Sequence, residues 1–396
     1  MPGAFSSFDL TPNTLSDRAS AMLASGLPLI DLTCSNFTQH GDLFPEAVLR
    51  RCADRYFKNR CYNPDARGSL QAREVVASLY RARGLEIEPD AIFLTASTSE
   101  SYRALFSLLC DPHDSLLSPA ITYPLFELIA EDQRVALDSY QTILSGDRPS
   151  AQWMLDEDSL YNAAHSRSRA ILSVSPHNPT GMTITTPPAV FDALQLPIIS
   201  DEVFSSYVWP ARCSGRLYSP PLGLLCPHLP VFHLDGISKQ YCLPDLKVSW
   251  IAMNPPAYQL LGDRLELLND TYLSCSAFSQ AVLMSVVETE VVEFQSRVRK
   301  RIGSNIERAI AALSELPKLR FAAPQGGTQL YIQLPEFLDE DEIVFALLRA
   351  GAVAHPGYFY GAEIGLPGLV ISCVPKEPLF SAGLEILCET LVRAIG

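Results

Sequence analysis

Short uninterrupted apolar runs, separated by segments with helical spacing, restrict the fold of this chain more than any other feature. The apolar runs span residues 91–95, 170–174, 196–200, 231–234 and 248–253. Runs of this length without polar alternation are typical of strands buried on both faces. Segments with a helical pattern, such as residues 98–110, lie between them. We therefore predict an α/β fold with a mostly parallel central sheet flanked by helices.

The C-terminal part of the chain predicts a second, smaller unit. Apolar residues recur at helical spacing over residues 277–313, which predicts a long linking stretch of helix. Strand-like runs at 329–332 and 369–372 then alternate with helical patterns at 341–350 and 379–394. This alternation favours a smaller α/β domain.

The whole chain has 396 residues, which favours more than one domain. Prolines at positions 12, 28 and 45 break up the start of the chain, which we predict to be irregular. The predicted organisation is an N-terminal arm at 1–45, a large domain at 46–275, and a linking helix with a small C-terminal domain at 276–396.

Composition excludes several classes of function. The net charge of -14 argues against a nucleic-acid-binding or anionic-membrane surface. The N-terminus has no signal-peptide pattern and no apolar run reaches membrane-spanning length, so we expect a cytoplasmic protein. Ten scattered cysteines without a C-x-x-C pair indicate reduced thiols, and seven histidines without an H-E-x-x-H pair predict no metal site.

Lys239 lies between the apolar runs 231–234 and 248–253. A lysine between two buried strands is costly unless its amine has a use. Desolvation lowers the pKa of a lysine and lets the amine form a Schiff base. The position of Lys239 therefore points to pyridoxal phosphate, provided that other residues bind the phosphate, the ring nitrogen and the ring face.

Ser97–Glu100 follow the run at 91–95, where ligands bind at the carboxyl ends of parallel strands. Ser97 and Glu100 fit a helix-capping box, which explains them without any ligand. The same geometry presents free backbone N–H groups to an anion such as a phosphate.

Three further polar or aromatic residues follow predicted strands, each with a structural alternative. Asn178, in the rigid turn 175–181, either caps its own backbone or donates into the crevice. Asp201 is either a helix cap or ion-pair partner, or the partner of a protonated pyridine nitrogen. Tyr123 either packs in the core or stacks on a flat cofactor.

Taken in this order, the motifs resemble the fold type I pyridoxal-phosphate enzymes, specifically the class I and II aminotransferase group. The resemblance runs from about residue 30 to the C-terminus. The motifs that carry it are Ser-Pro-His-Asn-Pro-Thr-Gly at 175–181, Ser-Asp-Glu-Val-Phe at 200–204 and Ser-Lys-x-x-x-Leu-Pro at 238–244.

The resemblance implies a role for each matching residue. Lys239 is expected to form the Schiff base with pyridoxal 5'-phosphate and to shuttle the proton. Asp201 is expected to pair with the ring nitrogen, Asn178 to donate to the ring's phenolic oxygen, and Tyr123 to stack on the ring. The residues expected to hold the phosphate are Thr98, Ser99, Ser238 and Lys247, with Tyr62 reaching the phosphate in a partner subunit. The expected role of Tyr62 in a partner subunit implies a homodimer with shared active sites.

The sequence departs from the family pattern at four positions. Phe204 replaces a frequent tyrosine, which leaves Asn178 as the expected donor to the phenolic oxygen. Gly236 replaces a frequent serine of the phosphate site, and Lys247 replaces an arginine, which keeps the charge without the bidentate fork. Val370 aligns with the arginine that pairs with a substrate carboxylate.

The change at Val370 leaves two interpretations of the substrate. Other groups hold its carboxylate, or the substrate has no free α-carboxylate. The candidates for substrate contact are Asn36, Arg67, His355, Tyr358 and Tyr360. The last three belong to segment 355–361, which resembles the family's substrate-facing loop but also fits an ordinary Pro-Gly turn.

The predicted function is a pyridoxal-phosphate-dependent aminotransferase that moves an amino group between an amino compound and a keto acid or aldehyde. The alternative is a lyase, oxidase or cyclase of specialised metabolism on the same scaffold, because the fate of the activated carbon depends on nearby groups. A ligand-sensing half of a transcription regulator is disfavoured, since the chain is acidic and shows no basic DNA-binding module.

Overall fold

A seven-stranded sheet forms the centre of the computed structural model, which describes residues 5, 11, 13–24, 26, 28–273, 275–361 and 367–396. The strands are β1 (Ile30–Asp31), β2 (Ile92–Thr95), β3 (Ser115–Pro119), β4 (Ala136–Tyr140), β5 (Thr142–Ser145), β6 (Gln152–Leu155), β7 (Ser168–Val174), β8 (Ile198–Asp201), β9 (Val231–Gly236), β10 (Ser249–Met253), β11 (Gln329–Gln333), β12 (Ala352–Val353), β13 (His355–Pro356) and β14 (Gly368–Ser372).

Helices surround this sheet and continue beyond it. They are α1 (Thr14–Ala24), α2 (Glu46–Lys58), α3 (Leu70–Ala82), α4 (Thr98–Leu109), α5 (Leu125–Gln133), α6 (Glu157–Ala163), α7 (Ala189–Leu194), α8 (Leu222–Leu225), α9 (Ile237–Gln240), α10 (Pro255–Tyr272), α11 (Ala277–Leu283), α12 (Thr289–Ser314), α13 (Glu340–Ala350) and α14 (Glu377–Ile395). Short 3₁₀ turns occupy Thr38–His40, Pro89–Ala91, Pro210–Arg212 and Gly357–Tyr360. Within the described ranges, no helix is both long and apolar enough to traverse a bilayer.

The central sheet has the strand order β2-β10-β9-β8-β7-β3-β4. Strands β4, β3, β7, β8 and β9 pair in parallel, and only β10 among the strands of this sheet runs antiparallel to its neighbours, β2 and β9. All residues of β2, β8, β9 and β10 are buried, as their continuous apolar runs predict. The predicted mostly parallel sheet is therefore confirmed.

One edge of this sheet collects the ends of several strands. Asp201 ends β8 and Gly236 ends β9, and parallel strands place their carboxyl ends together. Because β10 runs the opposite way, its first residue also lies at this edge. That residue, Ser249, pairs with Gly236 on one side and with Thr95 on the other.

The smaller sheet has the order β11-β14-β13, with antiparallel pairs. A parallel pair of β1 with β12 lies alongside it, and the amide of Ser372 in β14 donates to the carbonyl of Leu32, 2.6 Å away. The strands of the large sheet lie within residues 92–253, and those of the small sheet lie within residues 329–372. The division into domains stays a prediction.

The prediction that residues 1–45 are irregular is wrong in part. Helix α1 and strand β1 form within this segment, while much of residues 1–12 lies outside the described residues. Pro28 and Pro45 stand outside these elements, with Pro45 at the cap of α2. They therefore separate regular elements without preventing them.

The predicted long helix over 277–313 is also divided, into α11 and α12. The hydroxyl of Ser285 donates to the carbonyl of Val282, 2.7 Å away. The backbone between the helices forms turns in which an amide donates to the carbonyl three residues earlier. Glu288 then has an extended conformation before α12 begins. A serine hydroxyl that competes for a backbone carbonyl favours such a break, and helical spacing alone does not reveal it.

Gly181 offers a test of how tightly the 175–181 turn packs. It has a φ of +74°, and an added Cβ would lie 2.3 Å from Cβ of Pro324. Gly215 has nearly the same φ, +75°, with no atom within 4 Å. We expect Gly215→Ala to lower the free energy of unfolding by about 1 kcal/mol through backbone strain alone. Gly181→Ala should cost about 2 kcal/mol more, because the neighbouring backbone must also move.

Urea unfolding of both variants measures this difference. Equal losses in the two variants would show that the close approach to Pro324 does not constrain the turn.

Candidate active site

A cavity of about 520 Å³ lies at the edge where these strand ends meet. Its walls come from strand ends of the large sheet, from Thr33 and Ser35 after β1, and from residues in and next to the small sheet. Seven of the residues predicted to bind or react with the cofactor line it: Thr98, Ser99, Tyr123, Asn178, Asp201, Ser238 and Lys239. In the described part of the chain, no group of three or more potential metal ligands comes together.

Helix α4 begins at the cavity and is capped as the sequence predicts. The Ser97 hydroxyl accepts a hydrogen bond from the amide of Glu100 at 3.1 Å. The Glu100 carboxylate accepts from the amide of Ala96 at 2.6 Å, one residue earlier than a capping box requires. Thr98 and Ser99 therefore present the start of a 12-residue helix to the cavity, which favours an anion there.

Asp201 is a buried carboxylate at the end of β8. The Tyr102 hydroxyl donates to its Oδ2 at 2.5 Å, and the amide of Val203 donates to its Oδ1 at 3.0 Å. Burial raises the pKa of Asp201 to about 6, although these two hydrogen bonds oppose that rise. Among the described residues, no cationic group forms an ion pair with it; only the charge of Lys239, beyond ion-pair distance, also opposes the rise in its pKa.

The adjacent Glu202 is in the opposite electrostatic situation. It pairs with Arg83 at 2.6 Å and with Nδ1 of His233 at 2.6 Å, and it accepts from the Ser200 hydroxyl at 2.9 Å. Burial alone would raise the pKa of Glu202, but Arg83 and His233 outweigh it and lower the pKa to about 2. This network holds the end of β8 in place and leaves Asp201 as the carboxylate that faces the cavity.

Lys239 lies in the short helix α9, directly after β9. Burial lowers the pKa of its amine below the usual value for lysine. The Tyr207 hydroxyl donates to the Lys239 carbonyl at 2.9 Å, which fixes the backbone of the lysine. Behind it, Gln240 donates to Oδ2 of Asp235 at 2.8 Å, and burial raises the pKa of Asp235 to about 8. The amine is therefore desolvated and held by a rigid turn.

Asn178 lies in the 175–181 turn, in which Gly181 packs closely against Pro324. In this turn, His177 Nδ1 lies 2.8 Å from the Thr180 hydroxyl. The Asn178 amide lines the cavity and has no hydrogen-bond partner among the described residues, so the self-capping alternative is not observed. The amide is free to donate to a ligand.

Tyr123 and Phe204 contribute aromatic surface to the same cavity. The Tyr123 side chain is 45% exposed, and its ring meets the ring of Phe126 edge-on at 5.8 Å. Phe204 is buried and contacts the ring of Tyr207. One face of Tyr123 is thus available for stacking, whereas Phe204 offers no hydroxyl.

Two of the predicted cofactor residues lie away from the cavity of this chain. Lys247 is exposed, with a φ of +50°, and is not among the lining residues. Tyr62 is 81% exposed and borders a separate groove of about 780 Å³. Its predicted contact with a partner subunit stays a prediction.

The structure brings two of the predicted substrate residues to the cavity and leaves three elsewhere. His355 and Tyr360 line it. Arg67 instead pairs with Glu266 at 2.5 Å, and the Tyr358 hydroxyl donates to Asp341 at 2.7 Å.

Asn36 is the third residue outside the cavity. Its side chain accepts from the amide of Thr38 at 3.1 Å and from the Thr38 hydroxyl at 2.8 Å. Local partners therefore hold Asn36 in a turn, and its neighbours Thr33 and Ser35 line the cavity in its place.

Val370, aligned with the family's arginine, is 1% exposed and does not line the cavity. It pairs with Tyr331 across β11 and β14, and with His355 across β13 and β14. It belongs to an apolar cluster that includes Trp153 and Tyr360. The position therefore serves packing in this protein.

Sequence reasoning missed several lining residues. Tyr102, Ser249 and Gln329 are the clearest examples. Tyr102 is four residues after Thr98 in α4, so the helical period places both on one face and was the available signal. Ser249 and Gln329 begin strands, and only the pairing of those strands brings them to the cavity.

The model of the family described as aminotransferase class I and II matches residues 28–376. The chain belongs to this family. The fold agrees: an alanine aminotransferase from Pyrococcus furiosus superposes with a TM-score of 0.83 at 21% identity, covering 96% of both chains. The predicted family and fold class are confirmed.

Curated relatives are similar to this chain at comparable identity. Tyrosine aminotransferase from Homo sapiens is 23% identical over 341 residues, covering 82% of this chain and 73% of that protein. The Mus musculus enzyme is 24% identical over 300 residues, covering 72% of this chain. This chain spans 64% of the mouse enzyme's length. An S-alkyl-thiohydroximate lyase from Arabidopsis thaliana is 26% identical over 302 residues, covering 70% of this chain and 62% of that protein.

Pyridoxal phosphate is the cofactor of this family, and the residues of the cavity fit it. Lys239 offers a desolvated amine, and Asp201 offers a buried carboxylate that lacks a cation. The start of α4 offers backbone donors for a phosphate. The donor set thus matches an aldehyde, a ring nitrogen and a phosphate.

The buried His177 should make stability depend on pH. Burial lowers its pKa from 6.5 to about 4. Between pH 6.5 and pH 4, His177 therefore binds a proton in the unfolded chain but not in the folded chain. Stability is therefore constant above about pH 6.5 and falls as the pH drops toward 4, by on the order of 3 kcal/mol. The pH dependence of the free energy of unfolding, from urea titrations, measures this slope.

His177→Asn keeps a hydrogen-bonding group near Thr180 and should remove that part of the slope. His113→Asn alters an exposed histidine and serves as the control. An unchanged slope in His177→Asn would contradict the assignment.

Proposed function

We propose that this protein is a pyridoxal-phosphate-dependent aminotransferase that moves an amino group between an amino compound and a keto acid or aldehyde. The observation that carries the proposal is the placement of one desolvated lysine, Lys239, in the same cavity as the buried carboxylate of Asp201 and the start of α4. The family match supports it.

When bound, pyridoxal phosphate supplies an aldehyde for the substrate amine and a ring that accepts electrons from the reacting carbon. Asp201 would hold a proton on the ring nitrogen. Its two oxygens already accept from Tyr102 and Val203, so the carboxylate is fixed in orientation. A positive ring nitrogen would supply the charge partner that Asp201 lacks and keep it ionised at neutral pH.

The amine of Lys239 is the proton carrier. Because burial lowers its pKa, the neutral form is more accessible than for a solvated lysine. A neutral Nζ can accept a proton from the substrate carbon. It can then give that proton back on the same side of the bound substrate. The Tyr207 contact to the Lys239 backbone restricts how far this amine moves.

The phosphate would lie at the start of α4, against the backbone amides of Thr98 and Ser99 and the hydroxyl of Ser238. Asn178 would donate to the ring oxygen and Tyr123 would cover one ring face. These roles rest on the positions of the side chains in the cavity. Lys247 would need to turn toward the cavity to join them.

A second candidate is a lyase on the same scaffold. It is favoured by the similarity to a thiohydroximate lyase and by Val370 at the position of the expected arginine. Incubation of the cofactor-loaded protein with a donor and no acceptor separates the two. An aminotransferase accumulates the amine form of the cofactor in stoichiometric amount, whereas a lyase retains the aldehyde form and releases ammonia.

A cytoplasmic homodimer completes the proposal. Tyr62 supports it, because a tyrosine that is 81% exposed beside a groove is available to another chain. Sedimentation of the protein measures its mass in solution, and a monomer at micromolar concentration would remove the shared site.

Replacement of Lys239 tests the mechanism. Lys239→Ala should slow conversion of the cofactor by an amino donor by at least about 10³-fold, because it removes the proton carrier. Lys300→Ala, at an exposed position in α12, is the control and should react as the unmodified protein does. The absorbance change of the cofactor during a single turnover is the measurement, and a wild-type rate in Lys239→Ala would exclude this mechanism.

A further inference from the structure

The small-sheet wall of the cavity, formed by Thr328, Gln329, His355, Phe359 and Tyr360, is polar but carries no fixed charge. Burial lowers the pKa of His355, so its ring is neutral at pH 7. Among the described residues that line the cavity, Lys239 is the only lysine or arginine. The residues outside the described ranges include no lysine and no arginine. A carboxylate at this wall would be buried without a cation from this chain, which is costly.

The same wall presents hydrogen-bond acceptors that have no donor. Gln329 Nε2 donates to the Tyr360 hydroxyl at 3.0 Å, and that hydroxyl lies 3.3 Å from His355 Nδ1. A neutral His355 protonated on Nε2 accepts from Tyr360, which then accepts from Gln329. This chain of bonds fixes the Gln329 amide, and its Oε1 stays buried without a partner, as does the Thr328 hydroxyl.

Buried polar atoms in folded proteins are nearly always satisfied. Gln329 lines the cavity, and a turn of its amide toward the cavity would bring Oε1 to an N–H or O–H group of a ligand, whereas a carboxylate oxygen would face it as a second acceptor. The aromatic residues Phe126, Tyr123 and Phe359 line the same cavity and suit an apolar body.

We propose that the wall recognises an uncharged hydrogen-bond donor, so the amino donor is an amine that lacks an α-carboxylate and carries an uncharged N–H or O–H group next to an aromatic or other apolar body. This inference rests on the proposed function. The net exchange is R–CH2–NH2 plus R′–CO–R″ giving R–CHO plus R′–CH(NH2)–R″. Lys239 moves the protons, the cofactor returns to its starting form, and no external oxidant or reductant is needed.

Binding of two unreactive ligands tests the wall directly. Calorimetry of the cofactor-loaded protein should show 3-phenylpropanamide binding at least about tenfold more tightly than 3-phenylpropanoate. The half-reaction should favour 2-amino-1-phenylethanol, which carries a neutral hydroxyl, over phenylalanine in the same direction. Equal or tighter binding of the carboxylate would overturn the inference. If no donor converts the cofactor, the proposed function fails, while the binding comparison still decides the chemistry of the wall.

Gln329→Met removes the unpaired acceptor at similar volume and should reduce the preference for the amide to about twofold or less. Gln333→Met is the matched control, since Gln333 lies on the same strand, also has a buried Oε1 without a partner, and does not line the cavity. It should keep the preference. A preference that survives in Gln329→Met would exclude Gln329 as its source.

A separate observation concerns the strand partners Gly236 and Ser249. The backbone of Gly236 is extended, with a φ of -178°, so no unusual conformation requires glycine there. A Cβ at this position would lie 2.3 Å from the Ser249 hydroxyl oxygen and 2.9 Å from Cβ of Ser249. Ser249 therefore occupies the space that a side chain at 236 would fill.

Both residues line the cavity, and Ser249 also pairs with Thr95, at the end of the strand that leads into α4. The Ser249 hydroxyl has no hydrogen-bond partner among the described residues. It lies between the α4 turn and the turn of Ser238, which hold the other donors for an anion. We infer that Ser249 supplies the cofactor phosphate with the hydroxyl that Gly236 lacks.

Cofactor affinity tests this inference without relying on activity. By equilibrium dialysis, Ser249→Ala should weaken pyridoxal-phosphate binding about tenfold. Ser118→Ala, at a buried strand serine outside the cavity, is the control and should keep the wild-type affinity. Wild-type affinity in Ser249→Ala would overturn the inference.

The reciprocal exchange adds a second measurement. Gly236→Ser alone should bind the cofactor poorly, because its side chain collides with Ser249. The double variant Gly236→Ser with Ser249→Gly should recover affinity to within about threefold of wild type, since the hydroxyl returns from the facing strand. A double variant that binds no better than Gly236→Ser alone would exclude the exchange.

Discussion

Two neighbouring carboxylates at the end of β8 must have opposite electrostatic surroundings, and the rest of the site depends on that difference. Glu202 is neutralised by Arg83 and His233, which hold its pKa low. Asp201 receives only neutral donors, and burial raises its pKa. Glu202 therefore anchors the strand, while Asp201 forms no ion pair among the described residues, which favours a positively charged ligand atom beside it.

The sheet and many of the residues on the cofactor side of the cavity can be predicted from the sequence, because both depend on local patterns. Buried parallel strands are continuous apolar runs, and their carboxyl ends meet at one edge, so Lys239, Asp201 and Asn178 were expected together. The long-range partners were not accessible in this way. Tyr102 reaches Asp201 across 99 residues, and Arg67 faces Glu266 across 199 residues.

The substrate side is set by pairing between distant strands, which a single sequence does not display. Gln329 and His355 meet at Tyr360 only because the elements that carry them are folded together around the small sheet. Val370 illustrates the same limit: its apolar character was visible, but its burial among Trp153 and Tyr331 explains why no charge is accommodated there. Polar groups without a partner, rather than a charge, define this wall.

The pairing of β1 with β12 makes the C-terminal unit discontinuous in sequence. Ile30 and Leu32 bond to Gly351 and Val353, and Ser372 bonds to Leu32, so the two ends of the chain complete one structure. During synthesis the N-terminal strand emerges first and waits for partners more than 300 residues later. The wall that contains Thr33 and Ser35 is thus among the last parts of the cavity to assemble, because it needs residues 351–353 in place.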